Sequence, residues 1–358
     1  MNHTFNKDHT NIVKGLAIMI IVCHHVFWNA LIIKGDGSTK ILFSDLTIFV
    51  TRWGFCCNHV FAAITGFGIA ASIKSKKPLR VLYRREISVI SLAIPVYIVA
   101  SIVFILFCGG FDTFFNIYHG SSSKSILNIF LDMIGLSDAF QLRLLNPIWW
   151  YFSAVHVFTI ALIMICVFFE NRKSKHGFLF MAFIWFITMI INPILYGCMM
   201  LAALSGFLIN YYSLIDKITK LFHVLLRNRF IGYTTEFLFI LILFYFWYFF
   251  IEREEDPHLV SAVLLPIPFF LFAKEFVYRI PVISKGLMLI GKYSAYIFMI
   301  HGLIYSVYPF SRRFVYSFEY GIVTYILVLM ISLGGGIVME RILRIIGYKK
   351  MINVLKEK

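Results

Sequence analysis

Long apolar runs separated by short polar segments dominate the chain. A helix needs about 20 mostly apolar residues to cross roughly 30 Å of hydrocarbon, because each residue adds 1.5 Å. Ten runs reach or approach that length, and the short fifth and sixth meet at an Asn-Pro pair. The runs are Ile12–Ile33, Gly54–Ile73, Ile87–Cys108, Pro147–Phe169, Phe178–Asn192, Pro193–Asn210, Phe230–Ile251, Leu259–Val277, Tyr293–Phe310 and Tyr320–Met339. The pattern predicts an all-α, polytopic bundle of about ten transmembrane helices.

The basic residues are divided unevenly between the two sides that these runs define. An even number of spans places both termini on one side, and Lys and Arg are enriched in cytoplasmic segments. With a cytoplasmic N-terminus, 25 of the 33 Lys and Arg residues fall on the inner side. We therefore expect both termini in the cytoplasm and a multi-pass protein of a bacterial-type cell membrane.

Composition excludes several other classes of protein. Of the 358 residues, 60% are hydrophobic and 14% are charged, whereas soluble domains are about 25% charged. The net charge of +15 would indicate a nucleic-acid partner in a soluble protein, but here we attribute it to membrane orientation and expect no nucleic-acid partner. The longest loop, Gly109–Asn146, contains an apolar segment too short to span, Ile126–Leu136, which we predict to be interfacial or re-entrant. We expect one membrane domain over residues 1–358.

Polar residues inside a span are costly, so they are the first candidates for function. The first run carries Lys14, His24 and His25. Eleven residues separate Lys14 from His25, which places them roughly 20° apart around a helix and ~16 Å apart along it. One helix face therefore carries a cation at the cytoplasmic edge and an imidazole deep in the membrane.

This arrangement resembles the Arg/Lys-Gly…His-His signature of the membrane acyltransferase 3 family. The second run adds Thr65-Gly66-Phe67, which is similar to the Ser-Gly-Phe/Tyr segment of that family, and a basic segment follows in both. The resemblance implies about ten spans and transfer of an acyl group, usually acetyl, from acyl-CoA to an envelope glycan, as in capsule-type O-acetyltransferases. Two features differ from the family pattern: Arg84 and Arg85 are adjacent rather than spaced, and Lys14 replaces the more common Arg.

Two later segments extend the resemblance toward the end of the chain. Trp149 and Trp150 open the fourth run, with His156 one to two turns deeper. Ser294 and His301, seven residues apart and hence on one helix face, are similar to the Ser…His segment of the family. We expect Trp149, Trp150, Ser294 and His156 to bind the acceptor. Trp149 and Trp150 also fit an aromatic anchor at the membrane interface, and His156 also fits a hydrogen bond between helices.

Acyl transfer to a sugar hydroxyl needs a base that is active near neutral pH, and histidine meets this requirement. We predict His25 as the base, with His24 as the alternative and His301 as a further catalytic candidate. Acetyl-CoA is the expected donor, and Lys14, Arg80, Arg84 and Arg85 are the expected contacts to its phosphates. The segment Lys74–Arg85 has the densest cluster of cations and fits a dock for the phosphorylated end of CoA. It also fits a role in topology and in binding anionic lipid. No metal is expected. A transporter of lipid-linked saccharides is the alternative function, and a polysaccharide polymerase is a third.

Overall fold

The protein is described by a computed structural model over residues 4–34, 44–118, 123–171, 196–225, 229–252, 257–318 and 320–357. The regular elements of this part of the chain are helices. The α-helices are α1 (Lys7–Lys34), α2 (Ser44–Trp53), α3 (Cys57–Ile73), α4 (Pro78–Phe107), α5 (Gly110–Ile117), α6 (Ser123–Met133), α7 (Trp150–Asn171), α8 (Cys198–Tyr211), α9 (Leu214–Leu225), α10 (Arg229–Ile251), α11 (Pro257–Leu264), α12 (Pro266–Glu275), α13 (Pro281–Lys292), α14 (Ser294–Gly302), α15 (Pro309–Val315), α16 (Gly321–Ile345) and α17 (Tyr348–Glu357). A π-helix, Leu303–Val307, connects α14 to α15.

Seven helical stretches of the described chain are long and apolar enough to cross a membrane, and there are up to nine if each of two bent pairs is one span. The bent pairs are α8 with α9, at 59°, and α13 with the stretch from α14 through the π-helix, at 64°. The predicted fifth span, Phe178–Asn192, and the first residues of the sixth lie outside the described residues. The predicted polytopic helical bundle is confirmed.

Several spans begin earlier than the apolar pattern predicts, among them the first, at Lys7, and the second, at Phe49. Helix α4 begins at Pro78 rather than Ile87, since proline fits the first turn of a helix, where its missing N–H has no partner to lose. Most of the basic segment after α3 is therefore helical. The residues before Tyr293, predicted as a loop, form α13, and the chain bends at Tyr293, whose ψ of 6° departs from helical geometry.

The contacts of the chain divide into two compact units. The first unit contains Met1–Ala17, Cys56–Leu82 and Val157–Lys292, and the second contains Ile18–Phe55, Tyr83–His156 and Tyr293–Lys358. Helices α1, α4 and α7 each contribute residues to both units. The single domain expected from the sequence stays a prediction.

In the first unit, α3 and α8 form the most extensive helix pair. Gly66, in the segment that resembles the family motif, lies directly against α8: a Cβ there would be 1.7 Å from the carbonyl oxygen of Ala203. Reciprocally, a Cβ at Gly206 would be 1.8 Å from the carbonyl oxygen of Ala63. Small residues allow this backbone contact, which is a common way for membrane helices to associate.

In the second unit, α14 packs on α16, and the long loop is held by a buried carboxyl group. Asp132 accepts hydrogen bonds from the Tyr118 hydroxyl at 2.6 Å and from the Leu145 N–H at 2.7 Å, and the Tyr118 hydroxyl is 2.9 Å from that of Tyr97 on α4. Burial raises the pKa of Asp132 to about 7. The end of α6 is therefore tied both to α4 and to the segment that leads into α7.

Candidate active site

The second unit brings together two histidines that are 276 residues apart in the chain. His25 on α1 places its Nδ1 atom 2.9 Å from Nε2 of His301 on α14. The other ring nitrogen of His301, Nδ1, lies 2.9 Å from the carbonyl oxygen of Ile297, one helical turn earlier. The two histidines, predicted separately from the sequence, thus form a directly hydrogen-bonded pair.

The partners in this pair decide which nitrogens carry protons. A carbonyl oxygen only accepts, so His301 Nδ1 donates to Ile297, and Nε2 of a neutral His301 is an acceptor. His25 Nδ1 then donates to His301, which leaves the lone pair of a neutral His25 on Nε2. Among the described residues, none is hydrogen-bonded to this Nε2 atom. The second histidine thus sets the tautomer of His25 and leaves Nε2 able to accept a proton.

The surroundings of the pair hold the inner ring and leave the outer ring more accessible. His301 is completely buried, whereas His25 is half-buried. The His25 ring stacks with that of His301 at 5.2 Å between centroids and with Tyr305 at 6.1 Å, and Phe298 contacts His301 at 5.7 Å. These rings restrict rotation of both imidazoles, so the free nitrogen of His25 has a defined direction.

His24, the alternative base, is held separately. Its Nδ1 atom donates to the carbonyl oxygen of Thr51 on α2 at 2.7 Å, and its ring stacks with that of Trp28 at 6.0 Å. Its ring centroid lies 5.1 Å from that of His25. His24 therefore also has a defined tautomer, but a backbone carbonyl stands behind it instead of a second imidazole.

Trp149 and Asn146 hold the helix that carries His301. The change to a π-helix over Leu303–Val307 alters the backbone pairing, and such changes leave carbonyl groups without their usual partner. The Met299 carbonyl, two residues before His301, accepts from Trp149 Nε1 at 3.1 Å and from Asn146 Nδ2 at 3.3 Å. Trp149 was predicted to bind the acceptor, and in the structure its indole N–H is directed at the protein and it is 2% exposed.

The other predicted acceptor-binding residues lie on two helices of the second unit, α7 and α14. Trp150 is half-buried with its ring edge-on to Tyr151 at 5.7 Å. Ser294 is buried at the first residue of α14, on the same helix face as His301. Their roles in binding an acceptor stay predictions.

His156 is engaged on both sides of its ring. Nε2 lies 3.1 Å from the carbonyl oxygen of Ile134, so it donates there. Nδ1 is hydrogen-bonded to the carboxyl group of Glu86 on α4, so one proton is held between the two side chains. This buried residue thus links α7, α4 and the end of α6, and the acceptor-binding role predicted for it stays a prediction.

The predicted donor-binding cations are divided between the two units. Lys14 is half-buried and Arg80 exposed in the first unit, and Arg84 and Arg85 are half-buried in the second. Neither Arg84 nor Arg85 has an ion-pair partner among the described residues, and the Arg84 Nε atom is buried without a hydrogen bond there. Half-buried guanidinium groups without an acidic partner are suited to binding an anionic ligand.

Sequence reasoning missed two residues near these sites. Tyr305 stacks on the His25 ring and lies tilted against the His301 ring. It follows His301 by four residues, and that helical spacing could have indicated it. Glu86, which is hydrogen-bonded to His156, was not singled out, although an acidic residue at the start of an apolar run is itself a functional signal. Among the described residues, no group of three or more His, Cys, Asp or Glu side chains is placed to hold a metal ion.

The comparison with known families agrees with this architecture. The model of the acyltransferase 3 family, described as an acyltransferase domain, matches residues 10–341. The match extends from α1 into α16 and includes both histidines of the bonded pair. No curated protein matches the chain, and no solved structure matches it. With nearly its whole length matched, the chain belongs to the acyltransferase 3 family and is a multi-pass membrane acyltransferase.

Proposed function

We propose that the protein transfers an acetyl group from acetyl-CoA to a hydroxyl group of a capsular, exopolysaccharide or other glycan of a bacterial-type cell envelope. The observation that carries this proposal is the His25–His301 pair, which leaves one imidazole nitrogen unprotonated and accessible. Transfer to a hydroxyl group needs such a base. Membership in the acyltransferase 3 family favours this chemistry over transport of lipid-linked saccharides and over glycan polymerisation.

In the proposed transfer, each proton has a defined donor and acceptor. His25 Nε2 takes the proton of the acceptor hydroxyl while the hydroxyl oxygen forms a bond to the thioester carbonyl carbon. The carbon–sulfur bond then breaks, and the His25 imidazolium returns the proton to the departing thiolate. His301 Nε2 accepts from His25 Nδ1 throughout, so it stabilises the imidazolium at the point where positive charge develops. No net proton is gained or lost.

The donor carries several phosphates, and the cations of α4 match this charge. Arg84 and Arg85 have no protein anion to bind among the described residues, and Lys14 stands on the helix that carries His25. We assign these three residues and Arg80 to the diphosphate of acetyl-CoA. Trp150 and Ser294 are assigned to the acceptor.

The direct test compares the glycans of cells that carry wild-type protein or His25→Ala. Proton NMR of the purified glycan reports its acetate, and an immunoblot of the membrane fraction reports the amount of protein. We expect His25→Ala to lose the acetate at unchanged protein level. The matched control is His59→Gln, which changes a buried histidine of the first unit and should keep the acetate. Full acetylation by His25→Ala would refute the assignment of the base.

A further inference from the structure

A pocket of about 200 Å³ opens in the first unit at one end of α3 and α8. Aromatic and aliphatic side chains, among them Phe67, form one part of its wall, and polar groups of Lys74, Asn210 and Asp216 form another. The count of basic residues assigns this end of the unit to the cytoplasm. Lys74 belongs to the basic segment that the sequence analysis gave as a dock for CoA, and the other residues of the pocket were not predicted binding residues.

The N-terminal segment forms a wall of this pocket through Thr4 and Phe5. The Phe5 N–H donates to Asp216 Oδ1 at 3.1 Å, and the Phe5 ring lies 5.0 Å from Phe67 and 5.1 Å from Phe270. Since both backbone and ring of Phe5 are held, the wall is preformed.

The start of α1 keeps this segment in place. Asn6 Oδ1 accepts from the N–H groups of Asp8 and His9, at 2.9 and 3.2 Å, and so caps the helix. In return, the Asn6 N–H donates to His9 Nδ1 at 3.0 Å. This reciprocal pair is the histidine counterpart of a capping box, and it directs residues 4 and 5 toward the pocket.

Charge at the pocket is positive on balance. The Asp216 carboxylate is offset by Lys274, whose Nζ atom lies 2.8 Å away. Lys74 is exposed, and its ammonium group donates to two oxygens of Asn210, at 3.0 and 3.3 Å. Within the described part of the chain it has no carboxylate partner. Exposed lysines lie beside the lining residues in sequence: Lys76, Lys77, Lys217 and Lys220.

We propose that this pocket binds the phosphate ester at the nucleotide end of the acyl-CoA donor, with Lys74 as the phosphate contact and Phe5 and Phe67 against the apolar part of the ligand. The assignment rests on the proposed function, because that function supplies a phosphorylated ligand on the cytoplasmic side. A cation beside hydroxyl and amide donors suits phosphate, and two aromatic rings suit a planar or apolar group next to it. The head group of an anionic phospholipid shares this chemistry.

The test measures CoA binding to the full chain in nanodiscs of phosphatidylcholine. Lys74→Met should weaken CoA binding about five- to twentyfold, the loss of one charge-assisted contact at an exposed site, and Lys74→Arg should keep it. Thr4→Trp should weaken binding by filling the pocket, and Thr4→Ser should not. Lys350→Met, which removes an exposed lysine of the second unit, is the matched charge control and should bind as wild type. Adenosine 3′,5′-bisphosphate should compete with CoA in wild type.

The outcomes separate this inference from the proposed function. If wild type binds CoA and both Lys74→Met and Thr4→Trp bind it equally well, the pocket assignment is wrong while the function stands. If wild type binds no CoA and the glycan carries no acetate from it, the proposed function itself fails. Nanodiscs with added phosphatidylglycerol provide the second arm. If that lipid binds wild type but not Lys74→Met, and CoA does not compete with it, the pocket holds a lipid head group and the donor assignment is overturned.

Discussion

Replacing His301 by alanine tests the bonded pair directly. The change removes the acceptor of the His25 Nδ1 proton, in a bond of 2.9 Å to a completely buried ring. A buried donor left without a partner costs about 1–3 kcal/mol. At about 1.4 kcal/mol for each factor of ten in rate, we expect a loss of roughly 5- to 150-fold. Because the bond strengthens as His25 becomes positively charged, the loss should fall on kcat and leave the KM of the acceptor unchanged.

A second substitution separates this role from simple damage to the fold. His301→Gln keeps a side-chain oxygen that can accept from His25 Nδ1, so it should recover most of the lost activity. His25→Ala should fall to the background rate, and the double variant His25→Ala/His301→Ala should be no slower than His25→Ala, because the two side chains act as one device.

The assay is steady-state transfer from acetyl-CoA to a glycan acceptor by the purified protein in nanodiscs, with kcat and KM measured for each variant. Three results would contradict the reasoning: His301→Ala as fast as wild type, His301→Gln as slow as His301→Ala, or losses that add in the double variant. If His301→Ala is as inactive as His25→Ala, the base is His301 and the order of the pair is reversed.

Three further predictions concern the scaffold. Burial raises the pKa of Asp132 from 3.8 to about 7, so the stability this group contributes is greatest below about pH 4 and is lost as the pH rises to about 7. In the wild type, the free energy of unfolding should therefore fall by about 4 kcal/mol across this pH range. Asp132→Asn should abolish that fall, which thermal unfolding at a series of pH values measures. Gly66→Ala should destabilise the fold by at least about 1–3 kcal/mol, because the added Cβ forces α3 away from the backbone of α8. The control Gly334→Ala has open space around its Cβ, so it should be neutral or stabilise α16 by up to about 1 kcal/mol. Trp149→Phe should lower kcat and leave the KM of the acceptor unchanged, since the lost indole N–H holds α14.

Each of these has an opposing result. A pH dependence that is the same with Asp132→Asn would mean that Asp132 ionises normally in the folded protein. Equal melting temperatures of the two glycine variants would exclude the tight contact of α3 with α8. A raised acceptor KM with unchanged kcat in Trp149→Phe would contradict the role in holding α14 and support the acceptor-binding role predicted for Trp149.

The sequence alone was sufficient for the helical class and for most span limits. Lipid leaves no partner for backbone polar groups except within a helix, and it imposes a minimum length; Phe230–Ile251, for example, is a span in both prediction and structure. The predicted span limits are wrong where a helix continues beyond the apolar run. Amphipathic or basic helical segments, such as the start of α4 and the whole of α13, contain no long apolar run that would reveal them.

For the candidate site too, the sequence predicts one part and the tertiary structure decides the rest. The sequence determined that His25 and His301 are exceptional, because an ionisable residue inside an apolar run is costly wherever the helix goes. It could not determine that they bond to each other, since no local pattern relates residues 276 positions apart. Nor could it distinguish Trp149 as a substrate contact from Trp149 as the donor to the Met299 carbonyl, because that carbonyl is available only where α14 meets the π-helix. Tertiary packing alone decided which nitrogen of a neutral His25 carries the proton and which keeps its lone pair.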